Sequence, residues 1–229
     1  MPFFILAVVE DGDEMKQSDK KKTWEKRAAD HLESIGCDVQ RLDRKSSVLK
    51  HIDKSLDIWS CSMNIAAEGN SFSLMMGEGK EISAFVELFK WLIGKSEFTL
   101  PAIGLAITEH LPRLNKTRRQ KAFDLGVKMR EEINEFLGPN SVILYPPYPK
   151  PAPHHSNPII YGTFDWVYTA IWNIMGLPST QVPCGLNKDG LPLGLQVVGS
   201  HLNDRTTIAV AIELEKRFGG WKPFDDHQP

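Results

Sequence analysis

An unbroken apolar run from Phe3 to Val9 suits a strand buried on both faces, and the acidic turn Glu10–Glu14 ends it. A helical period follows. Trp24, Ala28, Leu32 and Ile35 share one face of a helix expected from Ser18 to Ile35, Gly36 supplies a left-handed cap, and "CDVQRL" (Cys37 to Leu42) reads as a second strand. The opening segment thus predicts a strand, helix, strand unit of α/β type.

Two further helical stripes come next. Ile52, Leu56, Trp59 and Met63 form the first; Ile82, Phe85, Val86, Phe89 and Ile93 form the second, after the glycine-rich break "MGEG". In "FTLPAIGLAI", Thr99 stands where an N-cap belongs and Pro101 falls in the first turn. Leu114 to Leu137 keeps Ala122, Leu125, Met129, Ile133 and Phe136 on one face, until Gly138-Pro139 stops the helix. "SVILYP" predicts a buried strand, and the proline-rich loop Pro146 to Pro158 is too short to link independent domains. The last third predicts a helix over Asp165 to Met175 with Gly176 as its cap. A hairpin follows, of strands Ser179 to Cys184 and Leu193 to Val198 about the turn "NKDG". A final helix, capped by Asn203 or Asp204, carries Ile208, Ala211, Ile212 and Leu214 as its apolar side and ends at Gly219-Gly220.

With 229 residues, 41% of them hydrophobic, the chain has enough material for a real core and predicts a compact, water-soluble body. Its 27 basic and 29 acidic residues leave a net charge of -2, so no global field gathers nucleic acid or an anionic membrane, and partners must be recognised locally. Cys37, Cys61 and Cys184 are odd in number and far apart, which argues against a disulfide framework or a zinc site and for a reducing compartment. The apolar opening is too short to cross a bilayer and lacks a basic leader.

"GLPSTQVPCGLNKDGLPLGLQVVG" (Gly176 to Gly199), together with "YPPYPKPAPHH" and "FGGWKPF", resembles the C-terminal end of the amidase signature family, and within it the fatty-acid amide hydrolases of the second type. "FFILAVVEDGDE", "CDVQRL", "LDIW" and "FTLPAIGLAI" stand in the order of the family's second half, so the likeness extends over nearly the whole chain. The resemblance implies an α/β fold: the C-terminal portion of the amidase signature fold, a mixed β-sheet surrounded by α-helices. Residues 1–229 are then expected to be part of a single amidase domain, without its N-terminal catalytic segment. Such enzymes cleave carboxylic amides with a lysine, a serine in a cis peptide and a nucleophilic serine, set in a glycine- and serine-rich stretch. A serine hydroxyl is a poor nucleophile without a nearby base, and backbone N–H groups must meet the charge that grows on the carbonyl oxygen. This sequence has no Gly-Ser-Ser stretch, so no catalytic residue is assigned and the chain alone is expected to be inactive.

Other groups of reactive residues carry bland readings. Ser46-Ser47, between Lys45 and Lys50, reads as a solvated helix start. His154-His155 lies in a proline loop without acidic or cysteine company, "EDGDE" misplaces the later ligands of a calcium loop, and "DKKKTWEKR" mixes acids with its bases; surface loop, acidic turn and solvated helix face are the readings. Cys184 reads as a packing residue.

Two segments carry functional expectations. On the family resemblance, the helix around "YGTFDWVYTAIWN" lines the acyl-chain pocket, with Thr163, Trp166 and Ala170 on the matching positions; their spacing also fits a core-facing stripe. Glu81 to Ile107 resembles the place where membrane-associated relatives carry an apolar cap, which makes Phe85 and Phe89 candidates for facing a membrane; packing against the body is the other reading. The implied partners are a fatty-acyl amide and a membrane surface, with no nucleic acid, metal or cofactor, for a protein that is intracellular and peripheral on a membrane. A non-catalytic lipid- or partner-binding module derived from an amidase is the alternative function.

Overall fold

The computed structural model describes residues 5–10, 24–43, 46–67, 71–113, 115–154, 164–187 and 189–221. Residues 11–14 of the acidic turn, the first part of the expected opening helix, Lys45, His155 and Thr163 lie outside them. Strands Ile5–Glu10 (β1) and Asp38–Asp43 (β2) pair in parallel on either side of the helix Trp24–Ser34 (α1) in the chain. Gly36 sits at φ 94°, where a side chain would be strained, and the N–H of Cys37 returns to the Leu32 carbonyl at 3.0 Å to close the cap. A 3-10 turn over Ile52–Lys54 leads into helix Ser55–Ala66 (α2), followed by helices Phe72–Met76 (α3), Ala84–Leu92 (α4), Leu100–Arg113 (α5) and Lys116–Leu137 (α6). Strand Val142–Tyr145 (β3), helix Val167–Ile174 (α7), the hairpin strands Ser179–Leu186 (β4) and Pro192–Gly199 (β5), and helix Asp204–Phe218 (α8) complete the order.

Among the described residues the strands form one five-stranded sheet in the order β2-β1-β3-β5-β4. β1 is parallel to β2 and β3, and β5 is antiparallel to β3 and β4, so the sheet is mixed, as the family resemblance implies. β3 shows why its sequence is apolar throughout: Val142 and Leu144 enter one core, with α1 and α8, while Ile143 and Tyr145 enter the other, with α2, α6 and α7. A strand covered on both faces has no position left for a polar side chain. Helix α6 approaches α2 closely at Gly126, where a Cβ would stand 2.6 Å from the Cγ2 of buried Ile58.

Three helical faces differ from expectation. On α2 the buried residues are Ser55, Ile58, Cys61, Ser62 and Asn64, whereas the stripe Ile52, Leu56 and Trp59 is half-buried and Met63 exposed. On α8, Thr207, Val210, Ala211 and Leu214 face the sheet, and Ile208 and Ile212 face outward. On α4 the apolar stripe itself is the outer face, and Ala84 and Glu87 are buried.

Candidate binding cavity

The half-buried stripe of α2 is explained by an open cavity of about 610 Å³. Leu49, Ile52 and Leu56 wall one side, Tyr145 at the end of β3 closes another, and Phe164, Val167 and Tyr168 come from α7 and the turn before it. Lys50, Asp53 and Ser55 are its polar members. All three are engaged: Lys50 Nζ stands 3.5 Å from Glu132 Oε1, Asp53 Oδ2 pairs with Lys54 Nζ at 3.0 Å, and the Ser55 hydroxyl donates to the Ile52 carbonyl at 2.5 Å. Most of the lining is therefore aliphatic or aromatic, which suits an apolar guest with a few polar groups to orient it.

An aromatic cluster holds the wall. Tyr168 packs on Tyr145 with ring centroids 5.6 Å apart, and Tyr145 in turn meets fully buried Trp172 edge-on at 5.0 Å. Gln196, buried on β5, places its side-chain amide under the same wall: Nε2 donates to the Pro146 carbonyl at 3.1 Å and to the Tyr168 carbonyl at 3.3 Å. Helix α7 ends at Gly176, φ 65°, where the N–H of Leu177 returns to the Trp172 carbonyl at 3.0 Å.

Of the expected acyl-site residues, Trp166 is half-buried edge-on against Trp59 of α2, with centroids 4.6 Å apart, and Ala170 is buried between helix and body. The cavity is lined by their neighbours Phe164, Val167 and Tyr168. Sequence reading missed these three and Gln196. The signal for Gln196 was present, since a lone amide in the strand "LGLQVVG" needs buried partners.

Phe85 and Phe89 lie on the outer face of α4 and are 64% and 65% exposed, beside exposed Val86, Leu92 and Ile93. The inner side of this helix is held by a buried carboxylate. Glu87 accepts from Lys90 Nζ at 2.7 Å and from the Ser96 hydroxyl at 2.8 Å, and the Ser96 oxygen accepts from the Phe98 N–H. Lys90, with Ser96, holds the Glu87 carboxyl below the usual carboxylate range. Because the folded value is depressed, this anchor is complete above the ordinary carboxylate range and is lost as pH falls through the lowered value. Hydrogen exchange over residues 84–98 is expected to stay slow at neutral pH and accelerate in strong acid, and to be fast at both in Glu87→Gln. Equal protection in variant and wild type at neutral pH would refute the anchor.

Cys184 is buried on β4, its thiol donates to the Val182 carbonyl, and burial pushes its pKa up to about 12, so it packs and does not react. Ser46 and Lys50 belong to a turn, closed by the Leu49 N–H on the Ser46 carbonyl at 3.1 Å, ahead of the 3-10 turn and not at a helix start. His154 is exposed, and among the described residues no three metal-ligating side chains converge.

The sequence model of the family described as Amidase matches residues 6–208. The chain is 40% identical over 203 residues to fatty-acid amide hydrolase 2 of Homo sapiens, covering 86% of this chain and 37% of that protein. It is 40% identical over 195 residues to fatty-acid amide hydrolase 2-A of Danio rerio, covering 82% and 35%. Among solved structures, 6-aminohexanoate cyclic dimer hydrolase complexed with substrate superposes with a TM-score of 0.62 at 16% identity, over 95% of this chain and 46% of that one, a likeness of fold. The chain thus spans little more than a third of the length of the curated relatives it matches.

Proposed function

This chain belongs to the amidase family, and from that premise we propose that it supplies the acyl-binding side of an enzyme like fatty-acid amide hydrolase 2, one that hydrolyses fatty-acyl amides. One observation carries the reading: the family match over residues 6–208 includes every residue that lines the cavity, and the lining is mostly apolar and aromatic. An acyl chain is held by removal of its methylenes from water, at roughly 0.8 kcal/mol for each one buried. Tyr145, Phe164, Val167 and Tyr168 offer that surface, with Trp166 and Ala170 bracing α7 behind it and Thr163 on the segment that leads into it. The nucleophile, its base and the oxyanion donors of amide hydrolysis are not drawn from these residues, so the chain alone would bind and not cleave.

The test titrates a fluorescent fatty acid, cis-parinaric acid, into the purified chain and displaces it with oleamide. Saturable binding is expected, and Val167→Glu, which sets a carboxylate in the apolar wall, weakens it by about tenfold or more. Binding that is absent, or equal in Val167→Glu, defeats the proposal. Oleamide kept with the chain alone should stay intact; turnover abolished by Ser46→Ala, Ser47→Ala or Lys50→Met would overturn the non-catalytic assignment.

The same reading extends to an intracellular protein resting on a membrane surface. What favours this is the outward face of α4, where Phe85, Val86, Phe89, Leu92 and Ile93 are all exposed while a carboxylate is turned inward. No helix among the described residues is long and apolar enough to cross a membrane, so this face would lie in the interface.

A further inference from the structure

We infer that Gln196 is the positioning residue of the cavity, its single side-chain amide fixing the wall by tying the proline loop and helix α7 to the sheet. Residues 195–200 of β5 and its end are all buried, and alternation sends Leu195 and Val197 to the α1/α8 core and Val198 to the α2/α6/α7 core. Gln196 lies on the Val198 side, under the cavity, directly opposite Tyr145 in the strand register. An amide in such a place costs about 1–3 kcal/mol if its groups go unpaired. Here none does. Nε2 donates to the carbonyls of Pro146 and Tyr168, and Oε1 accepts from the Ser179 hydroxyl at 3.2 Å. The bonds also fix which end is which, because an amide turned over would set its oxygen against two carbonyl oxygens.

The two carbonyls belong to segments that also meet through Lys150 Nζ on Asp165 Oδ2 at 3.3 Å and the Tyr145–Tyr168 ring contact, and the Gln196 amide is the group that ties both of them to β5. Pro146 opens the loop after β3 and lies next to the lining residue Tyr145, while Tyr168, itself a lining residue, stands in the first turn of α7. With the amide in place, Tyr145 and Tyr168 keep the ring contact that forms the wall. Remove its donors, and the first turn of α7 loses its hydrogen bond to the sheet, which leaves ring packing on Trp59 and Tyr145 to hold it down.

Gln196→Leu preserves bulk and removes both donors; Gln196→Glu preserves shape and, when ionised, turns an oxygen to both carbonyls. Hydrogen exchange of amides in 167–174 is expected to rise by about tenfold or more in Gln196→Leu, with α1 and β2 unchanged, and cis-parinaric acid to bind correspondingly more weakly. Gln196→Glu should show the same opening at neutral pH and recover protection as the pH falls and the carboxyl regains a donor, a pH profile that a space-filling role would not produce. If Gln196→Leu does not fold, the Gln196→Glu comparison at two pH values decides. Unchanged exchange in 167–174, a loss spread evenly over the whole sheet, or a flat pH profile in Gln196→Glu overturns the assignment. The inference rests on the acyl-site reading only for its ligand arm: wild-type protein that binds no probe defeats that reading, while exchange still tests the tie.

Discussion

Replacing Trp172 with alanine is expected to lower the stability of the chain by about 3–5 kcal/mol, enough to leave a marginal domain largely unfolded. The ring is fully buried in the core that α2, α6 and α7 share with the sheet, and it contacts Tyr145 edge-on. Its loss would open a cavity that α7 cannot fill, because the helix is fixed at its far end by the His201 ring on the Gly176 carbonyl at 2.8 Å and at its near end by Gln196. The indole N–H adds a second clause. Nε1 has no hydrogen-bond partner among the described residues, so Trp172→Phe gives up ring volume but also removes a buried donor that nothing satisfies. Its cost should be under about 2 kcal/mol. Urea unfolding measures both, read as a shift in midpoint at constant slope. A Trp172→Ala protein within about 1 kcal/mol of wild type would mean that this ring does not hold the helix to the sheet.

The contrast between Trp172 and the α2 stripe shows what the sequence could and could not reveal. β3, the hairpin strands, the glycine caps and the extent of most helices were legible, because each rests on local rules: strand alternation, a positive φ that glycine alone takes easily, a missing proline N–H. Periodicity also found apolar faces on α2, α4 and α8. It could not say what covers them. Ile52, Leu56 and Trp59 scan as core but border a cavity or meet Trp166, and Phe85, Phe89, Ile208 and Ile212 scan as core but face outward. A hydrophobic face reports that something apolar is wanted there, and whether that is another helix, a ligand or a lipid surface depends on residues distant in the chain. The site residues Val167 and Tyr168 escaped for the same reason, being neighbours of Trp166 on a helix whose rotation only packing against α2 and Gln196 decides.

The outward face of α4 gives the other large effect. On liposomes, the chain is expected to co-sediment, and Phe85→Glu with Phe89→Glu to weaken partitioning by about a hundredfold. About two-thirds of each phenylalanine is open to water, so these side chains bring roughly 1.5 kcal/mol or more apiece on entering the acyl boundary, and each introduced carboxylate opposes entry. Charge should matter little. Exposed Lys80, Lys90 and Lys95 near this face are offset by Glu78, Glu81 and Glu97, and a face without net positive charge gains little from anionic lipid. Binding should therefore persist when salt is raised or when phosphatidylserine is replaced by phosphatidylcholine, unlike that of a polybasic surface. The doubly substituted chain must keep its fold for the comparison to hold, and it should, because neither phenyl lies in either core cluster and the Glu87 anchor lies on the opposite side. Equal sedimentation of both chains would assign the face to a protein partner or to nothing. Loss of binding in salt alone would transfer the affinity from the phenyl rings to the lysines.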